Sequence, residues 1–495
     1  MTAHLARRAG RALTWRTGEL VGVQVIFLVR LFILARLLAP DDFGLLAIAM
    51  TVIAFLMAVT NFGMVPALVQ RARNDPRHYD VAWTLGVIRA LAVAAIVLVA
   101  APFAASLFEE PRAVAIIRAL AVIPLLEAAV SIRVADLTRE LRFKALGKIG
   151  VAKALLNTLV AVFLAPWLGV WALVAGVTAG SVAHLVGSYL LAPHRPRLLF
   201  DAEALAPLLR FGRWVFVKGI VSQAGSFALR AAIARELGTA ALGLFFLASS
   251  LAFLPAQVAS QVAGSVAFPV FAGLRSHVRL LGRAFRTFLS GTAMLLVPAS
   301  VLIVVLAPLL VEHLMDPRWT GAAPLIQALA LIGLLGLFGE TVVPLFNGVG
   351  QPGKVALLEF IQSLLIVLTA GWLAREGGLV GVTLALLLAS AVSQAASLVM
   401  VRRVLPHPFR GLGMPSLLIV TTAMGSGWMT WAVGAGVGGI PGLVSGGAAG
   451  SILAALLLWY GDRWLALGLR EDLARTFPQL QSPKTSGRPG AGESP

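Results

Sequence analysis

The sequence lacks cysteine and is poor in charged residues. The absence of cysteine from its 495 residues excludes disulfide bonds and cysteine-ligated metal sites. Only 13% of the residues are charged, against about 25% in soluble domains. The rest is strongly apolar, with 59% hydrophobic residues and a mean hydropathy of +0.90. Apolar runs of roughly 20 residues, the length that crosses a bilayer, recur along the chain. This composition predicts an all-α protein that spans the membrane many times.

The apolar runs predict about fourteen transmembrane helices. Their expected positions are 18–38, 43–69, 81–106, 113–135, 146–166, 170–192, 211–235, 243–273, 285–311, 322–348, 354–374, 378–401, 415–434 and 441–461. We interpret them as two lobes of six helices and an additional pair. The corresponding boundaries are 1–192 for the amino-terminal lobe, 193–210 for a cytoplasmic linker, 211–405 for the carboxy-terminal lobe, 413–463 for the pair and 470–495 for a cytoplasmic tail that is expected to be disordered at its end.

The distribution of basic residues predicts the orientation of these helices. If the amino terminus is cytoplasmic, 28 lysines and arginines fall in inside segments and five in outside loops. Basic residues are retained on the cytoplasmic side of membranes, so we expect both termini in the cytoplasm. Most of the formal net charge of +18 is then explained by topology, and no nucleic-acid partner is expected.

Two short segments, 35–49 and 234–248, resemble each other at an offset of 199 residues. The residues Ala35, Arg36, Leu38, Gly44 and Leu45 recur as Ala234, Arg235, Leu237, Gly243 and Leu244. Because each half holds an even number of predicted helices, both copies enter the membrane from the same side. The pattern predicts two lobes related by a pseudo-twofold axis along the membrane normal, an arrangement found in alternating-access transporters.

Two arginines lie inside predicted membrane helices. Arg30 is about 9 Å below Arg36, which marks the outer end of the first helix, and Arg230 is about 7.5 Å below Arg235. Charged side chains within membrane helices usually face a bundle interior or a polar cavity. The similar depth of the two arginines favours one cationic site for an anionic substrate, because guanidinium groups match phosphate oxygens in geometry and charge.

Other ionisable residues within the helices leave alternatives open. Arg30 could instead be paired with a buried carboxylate such as Glu127. Lys218 could extend the positive lining of the cavity or lie at the membrane interface. Glu127, Glu340 and Glu359 could be ion-pair partners or proton carriers, and we favour ion pairing because no sequence feature marks a coupling acid.

Motifs of soluble enzymes are absent or occur in the wrong context. There is no Walker A, HExxH or GxSxG sequence, so we expect no catalytic residue, metal ion or cofactor. GAGVGG at 434–439 lies in a predicted turn between two helices and not after a strand. Glycines at every fourth position in 442–450 favour close helix packing. Asp41 and Asp42, which follow Pro40, are interpreted as a helix cap.

Several segments resemble the polysaccharide flippases of the Wzx type, which belong to the multidrug/oligosaccharidyl-lipid/polysaccharide exporter superfamily. The similar segments are ARLLAPDDFGLLAIA (35–49), NFGMVPALVQR (61–71), LTRELRFKALGKIG (137–150), FPVFAGLR (268–275) and LFNGVGQPGK (345–354). The third of these resembles the colanic-acid and teichuronic-acid exporter branch. The resemblance extends over about residues 15–405.

This resemblance implies a two-lobed, V-shaped transporter of the bacterial inner membrane. It would flip undecaprenyl-pyrophosphate-linked oligosaccharide from the cytoplasmic to the periplasmic leaflet, with a polysaccharide polymerase and chain-length proteins as partners. Related flippases line their central cavity with arginines, in agreement with the interpretation of Arg30 and Arg230. Two alternatives are a cation-coupled multidrug exporter of the same superfamily, which would have an acidic cavity, and a membrane glycosyltransferase or polymerase, which would have a large outside loop.

Overall fold

The computed structural model describes residues 22–60, 76–140 and 142–464, and within these ranges the chain forms α-helices and no β-strand. The helices are α1 (22–37), α2 (Pro40–Ala58), α3 (Pro76–Leu107), α4 (Ala113–Leu120), α5 (Val122–Ala129), α6 (Val134–Arg139), α7 (Phe143–Leu168), α8 (Val170–Leu191), α9 (Ala202–Leu237), α10 (Thr239–Ala252), α11 (Leu254–Gly273), α12 (Val278–Leu314), α13 (Ala322–Leu335), α14 (Leu337–Gly348), α15 (Pro352–Val404), α16 (Gly413–Val437) and α17 (Gly439–Trp464). A 3₁₀ turn, Pro317–Trp319, lies between α12 and α13.

The helices agree with the predicted membrane spans. Within the described ranges, nine helices are long and apolar enough to cross a membrane, and a tenth span results if α10 and α11, bent by 48°, are counted together. The four other predicted spans coincide with α1, with α4 and α5 together, with α9, and with the second part of α15. Parts of the predicted segments 18–38 and 43–69, and the predicted tail 470–495, lie outside the described residues.

The helix α15 contains two predicted spans, because a single residue with non-helical backbone angles separates them. Its 53 residues are interrupted at Gly378, where φ is 57° and ψ is −142°. This backbone conformation is essentially restricted to glycine, so the break occurs at a residue that can adopt it. The gap at 375–377 between the predicted spans 354–374 and 378–401 is therefore helical, and the helix is broken only at Gly378.

Apolar side chains lie both inside the bundle and on its outer surface. Val99, Leu190 and Val380 are more than 70% exposed, as expected for side chains that face lipid, where the solvent is itself apolar. Inside, one buried cluster joins both lobes and includes Phe43 of α2 and Phe245 of α10. The core therefore continues across the boundary between the two lobes.

The two copies of the sequence repeat pack against each other. A Cβ atom on Gly44 would overlap the carbonyl oxygen of Thr239, and a Cβ atom on Gly243 would overlap that of Pro40. At the offset of 199 residues, Gly44 corresponds to Gly243 and Pro40 corresponds to Thr239. The contact is thus reciprocal, as a twofold axis between the lobes requires, and both glycines allow the helices α2 and α10 to approach closely.

The final helix pair is held by small residues, as the glycine spacing predicted. A Cβ atom on Gly442 would lie 2.6 Å from the carbonyl oxygen of Gly434, and one on Gly446 would lie 2.6 Å from that of Thr430. The segment 434–439 closes α16 and begins α17, with positive φ at Gly438 and Gly439. Both observations confirm a structural role for these glycines.

Candidate functional site

A polar cavity lies within the carboxy-terminal lobe, between membrane-spanning helices. Its volume is about 730 Å³, within the range of about 300–1,000 Å³ that is typical of ligand sites. It is lined by α9, α10, α11, α13, α14 and α15. Its uncharged polar lining consists of Ser222, Ser226, Ser249, Ser250, Ser260, Ser363, Ser390, Gln257, Gln261 and Gln362.

The structure brings together three of the residues that were expected to be functional. Arg230, Glu340 and Glu359 all line this cavity. Arg30 is not among the lining residues, and Lys218 belongs to α9 but its side chain lies outside the described part of the structure. Among the described side chains, the charged residues that line the cavity are one arginine and two glutamates.

Arg230 reaches from its own lobe to the other one. Its Nη1 donates a hydrogen bond of 3.0 Å to the Oγ1 of Thr51 in α2, a residue that is only 3% exposed. Within the described ranges, no carboxylate oxygen lies within 4.0 Å of the Arg230 guanidinium. Its identified partner is thus a neutral hydroxyl, and within the described ranges the guanidinium has no ion-pair partner.

Arg30 occupies a different environment in α1. Its guanidinium carbon lies 5.4 Å from the centre of the Phe27 ring, in a cation–π contact. The repeat offset aligns Arg30 with Leu229, so the two arginines are displaced by one position, or about 100° around a helix. This displacement gives a geometric reason why they do not line the same cavity.

Glu127 is paired, but its partner is not Arg30. One oxygen of its carboxylate accepts hydrogen bonds from Lys153 at 2.7 Å and from Ser181 at 3.1 Å, and the other lies 2.9 Å from the Nδ1 of His184. These partners come from α7 and α8, which pack beside α5. The structure therefore supports ion pairing for this acid while replacing the partner that the sequence considered.

Asp41 and Asp42 both have structural partners at the start of α2. Asp42, at the third helical position, accepts a hydrogen bond of 3.0 Å from the backbone of Ala39, which is the capping residue. Asp41 is bound by the guanidinium of Arg112 at 2.7 Å. The expected capping role is thus carried by Asp42 from inside the helix, while Asp41 makes an ion pair.

A polar cluster joins the lobes at the end of the bundle that is predicted to face the periplasm. Glu110 accepts hydrogen bonds from Arg112 at 2.7 Å and from Thr239 at 2.6 Å. The hydrogen bonds from Arg112 and then Thr239 lower the pKa of the Glu110 carboxyl to about 2, although burial opposes this shift. Arg235 and Glu109 form a second ion pair of 3.0 Å between the lobes.

Aromatic and backbone contacts strengthen the same junction. The ring of Trp319, which is fully buried, packs edge-on against Phe43 with 5.1 Å between ring centres. Its Nε1 donates a hydrogen bond of 3.3 Å to the carbonyl of Leu38. The described structure is thus closed between the lobes at this end.

The sequence reasoning missed the serine and glutamine lining of the cavity. A detectable pattern exists in α10 and α11, where polar residues recur at helical spacing from Ser249 through Gln257 to Gln261. Such a stripe on one face of an apolar helix is evidence for a hydrated surface.

Comparison with known proteins relates the sequence to a family and to individual relatives. A family model described as "Polysaccharide biosynthesis protein" matches residues 33–324. The succinoglycan biosynthesis transport protein ExoT of Rhizobium meliloti is 25% identical over 97% of this chain and 98% of its own length. The lipopolysaccharide biosynthesis protein WzxC of Escherichia coli is 24% identical over 77% of this chain and 79% of its own length.

Solved structures support the predicted fold class. The lipid II flippase MurJ in an inward closed conformation has a TM-score of 0.71 at 13% identity, covering 91% of this chain and 99% of its own. An inward-facing multidrug transporter of the MATE family has a TM-score of 0.62 at 16% identity, covering 77% of this chain and 94% of its own. At these identities the likeness establishes the fold alone, and it confirms the predicted polytopic α-helical architecture.

Proposed function

Because this chain belongs to the polysaccharide biosynthesis protein family, we propose that it is a flippase for lipid-linked oligosaccharides. In this proposal it moves undecaprenyl-pyrophosphate-linked oligosaccharide from the cytoplasmic to the periplasmic leaflet of the bacterial inner membrane. Family membership and the two named relatives support transport in polysaccharide biosynthesis, in line with the resemblance of the sequence. The chain is a transporter in this account and carries out no covalent chemistry.

The observation that carries the proposal is the environment of Arg230. Arg230 belongs to α9, which coincides with a predicted membrane span, and its guanidinium lines a polar cavity and donates a hydrogen bond to the neutral hydroxyl of Thr51. A charged side chain within a membrane span is costly and for that reason points to a functional site. A pyrophosphate would supply the missing negative charge and accept several hydrogen bonds from the fork of the guanidinium. Arg30, at similar depth in the other lobe, would act on the same group at a different stage of its passage.

The two lobes are proposed to move relative to each other at the junction between them. The reciprocal contact of Gly44 and Gly243 closes the end that is predicted to face the periplasm, and the lobes would separate there to release the substrate. The polar cluster around Glu110 and the pair of Arg235 and Glu109 would break in the same step. We infer alternating access, in which the lobes rock about the cavity, from the parallel repeat and from this reciprocal closure.

A cation-coupled multidrug exporter is the second candidate function. The specific observation in its favour is that Glu340 and Glu359 line the cavity, since acidic groups attract cationic drugs and coupling ions. Expression in a drug-sensitive strain distinguishes the two candidates. Increased resistance to cationic dyes that is lost in Glu359→Gln would favour the exporter, whereas unchanged resistance with restored glycan export favours the flippase.

A membrane glycosyltransferase or polymerase has less support. That class requires an acceptor site built by a sizeable outside domain, and the connections between helices in the described ranges are short. The named relatives are also described as transport or biosynthesis proteins without a stated catalytic activity. A polymerase and chain-length proteins remain proposed partners, and both termini are proposed to be cytoplasmic.

Replacement of the two arginines tests the proposed function. In a strain that depends on this protein, Arg230→Ala and Arg30→Ala are expected to abolish export of the glycan while protein levels in the membrane stay normal. The lysine variants should restore export in part, because lysine keeps the charge and loses the planar fork. The measurement is the amount of lipid-linked oligosaccharide that accumulates on the cytoplasmic leaflet.

The matched control is Arg118→Ala, which removes an exposed arginine of α4 and is expected to leave export unchanged. Full export by both Arg30→Ala and Arg230→Ala would contradict a role for these residues in binding the pyrophosphate. Loss of export that accompanies loss of the protein from the membrane would indicate a structural role instead.

A further inference from the structure

The polar cavity is built for a ligand with many hydroxyl groups. Seven serines and three glutamines line it within a membrane-spanning lobe, where apolar side chains would pack at lower cost. Serine hydroxyls and glutamine amides both donate and accept hydrogen bonds, and carboxylates accept them. Phe245, Phe246 and Phe253 add apolar surface to the same wall. A sugar ring has the matching chemistry, with hydroxyl groups at its edge and C–H groups on its faces.

Arg230 and Glu359 lie at different levels along the cavity. Gly225 of α9 touches Ser363 of α15, since a Cβ atom on the glycine would lie 2.7 Å from the serine Oγ. Further along, Glu236 of α9 is paired with Arg375 of α15 at 3.0 Å. The two contacts are separated by eleven residues on one helix and twelve on the other, so α9 and the first part of α15 run parallel and stay in register.

This register gives the axial distance between the charged groups. Arg230 lies five residues after Gly225, whereas Glu359 lies four residues before Ser363. At 1.5 Å per residue, the two charged positions are about 13 Å apart along the helices. The end of the cavity near Arg230 therefore suits an anion, and the end near Glu359 suits hydroxyl donors and disfavours a second anion.

We propose that this cavity is the saccharide subsite of the transporter and that it selects uncharged sugar residues next to the pyrophosphate. The inference rests on the proposed function and adds the substrate class of the site. Arg230 binds the pyrophosphate at one end, while Glu359 and Gln362 accept and donate hydrogen bonds to sugar hydroxyls at the other. A sugar that carries a carboxylate close to the pyrophosphate would be repelled by Glu359.

Binding of two lipids to the purified full-length chain in lipid nanodiscs tests this inference. One probe is undecaprenyl pyrophosphate without sugar, and the other is the lipid-linked oligosaccharide extracted from cells that produce the protein naturally. Glu359→Leu and Gln362→Leu are expected to weaken binding of the glycosylated lipid about tenfold or more, equivalent to about 1.4 kcal/mol. Their affinity for the bare pyrophosphate lipid should stay unchanged, and Arg230→Ala should weaken binding of both lipids.

The control is Glu312→Leu, which removes an exposed glutamate of α12 outside the cavity and should change neither affinity. Equal weakening of both lipids by Glu359→Leu and Gln362→Leu, or no change in either, would overturn the saccharide subsite. Loss of a sodium-dependent gain in affinity in Glu359→Leu, with the ratio between the lipids retained, would identify a cation site instead. If the unaltered protein binds neither lipid, the proposed function itself fails.

Discussion

At the scale of single residues, the buried charges of the two lobes differ in how they are compensated. Glu127 is surrounded by Lys153, His184 and Ser181 within the amino-terminal lobe. Arg230, by contrast, is bound by a hydroxyl and lines a cavity. Partners from its own lobe indicate a structural role for Glu127. Arg230, which has no carboxylate partner within the described ranges, is proposed to bind the substrate.

The pairing of Glu127 can be tested by a double-mutant cycle. Lys153→Ala is expected to lower the stability of the protein because it leaves a partly buried carboxylate without its ammonium partner. Glu127→Gln should recover part of this loss, with a coupling energy of about 0.5–3 kcal/mol. The measurement is the free energy or midpoint of unfolding in detergent for both single variants and the double variant.

The cycle of Glu127→Gln with Arg30→Ala is the matched comparison. Since Arg30 has no hydrogen bond or ion pair with Glu127 in the described structure, these two changes should be additive. Strong coupling between Arg30 and Glu127, with none between Lys153 and Glu127, would contradict the observed partners.

Residue type and depth in the membrane selected the candidate site residues, but they did not predict the partners of these residues. The positions of Arg230, Glu340 and Glu359 within membrane helices were sufficient to mark them as candidate site residues, and all three line the cavity. The contact of Glu127 with Lys153 depends on how α5, α7 and α8 pack, which no local pattern specifies. The rotation of Arg30 relative to Arg230, in contrast, follows from a displacement of one residue that the sequence repeat already contains.

At the scale of helices, the reciprocal contact between α2 and α10 holds one end of the bundle closed. Gly44 and Gly243 allow each helix to meet the backbone of the other at Thr239 and Pro40. The repeat that was visible in the sequence thus has a physical reason. A twofold axis brings each copy against its counterpart, and both copies need a small residue where the helices cross.

Alanine at either glycine is expected to force the lobes apart at this end. Gly44→Ala or Gly243→Ala would overlap a backbone carbonyl, and such overpacking costs about 1–3 kcal/mol. Cysteines introduced at Glu109 and Arg235, whose side chains are ion-paired across the junction, report on closure through a short bifunctional thiol reagent. The natural chain contains no cysteine, so no background reaction interferes.

We expect a lower cross-linking yield in both glycine variants than in the parent pair. The controls are Gly86→Ala and Gly291→Ala, since a Cβ atom at either position would have no neighbour within 4 Å. Unchanged cross-linking in Gly44→Ala would mean that the junction tolerates the added methyl group and is not a tight closure.

The sequence predicted which segments form helices better than it predicted where individual helices begin, bend and end. Apolar runs located every span of the described ranges, because length and hydropathy decide whether a segment can cross a bilayer. The 48° bend between α10 and α11, near Phe253, was not predicted. It brings Ser249 and Gln257 to one cavity, and it depends on tertiary packing that hydropathy does not contain.

At the scale of the whole molecule, the orientation of the chain in the membrane determines which leaflet lies at the closed end of the bundle. The excess of basic residues in alternate loops predicts cytoplasmic termini, and the junction of Gly44 with Gly243 then lies at the periplasmic end. Reporter fusions at residues 203 and 480 should both give a cytoplasmic signal. A periplasmic signal at either site would contradict the number of spans and the parallel repeat that depends on it.

The most direct test of the central claim is transbilayer movement of a lipid-linked oligosaccharide by the purified protein. The protein is reconstituted into vesicles that contain the lipid in both leaflets, and an impermeant reagent that modifies the glycan is added outside. In vesicles with the unaltered protein, we expect the reagent to modify nearly all of the lipid-linked oligosaccharide. In vesicles with Arg230→Ala, as in protein-free vesicles, only the lipid of the outer leaflet should be modified. If only the outer half is modified in vesicles with the unaltered protein, the chain is not a flippase for this lipid.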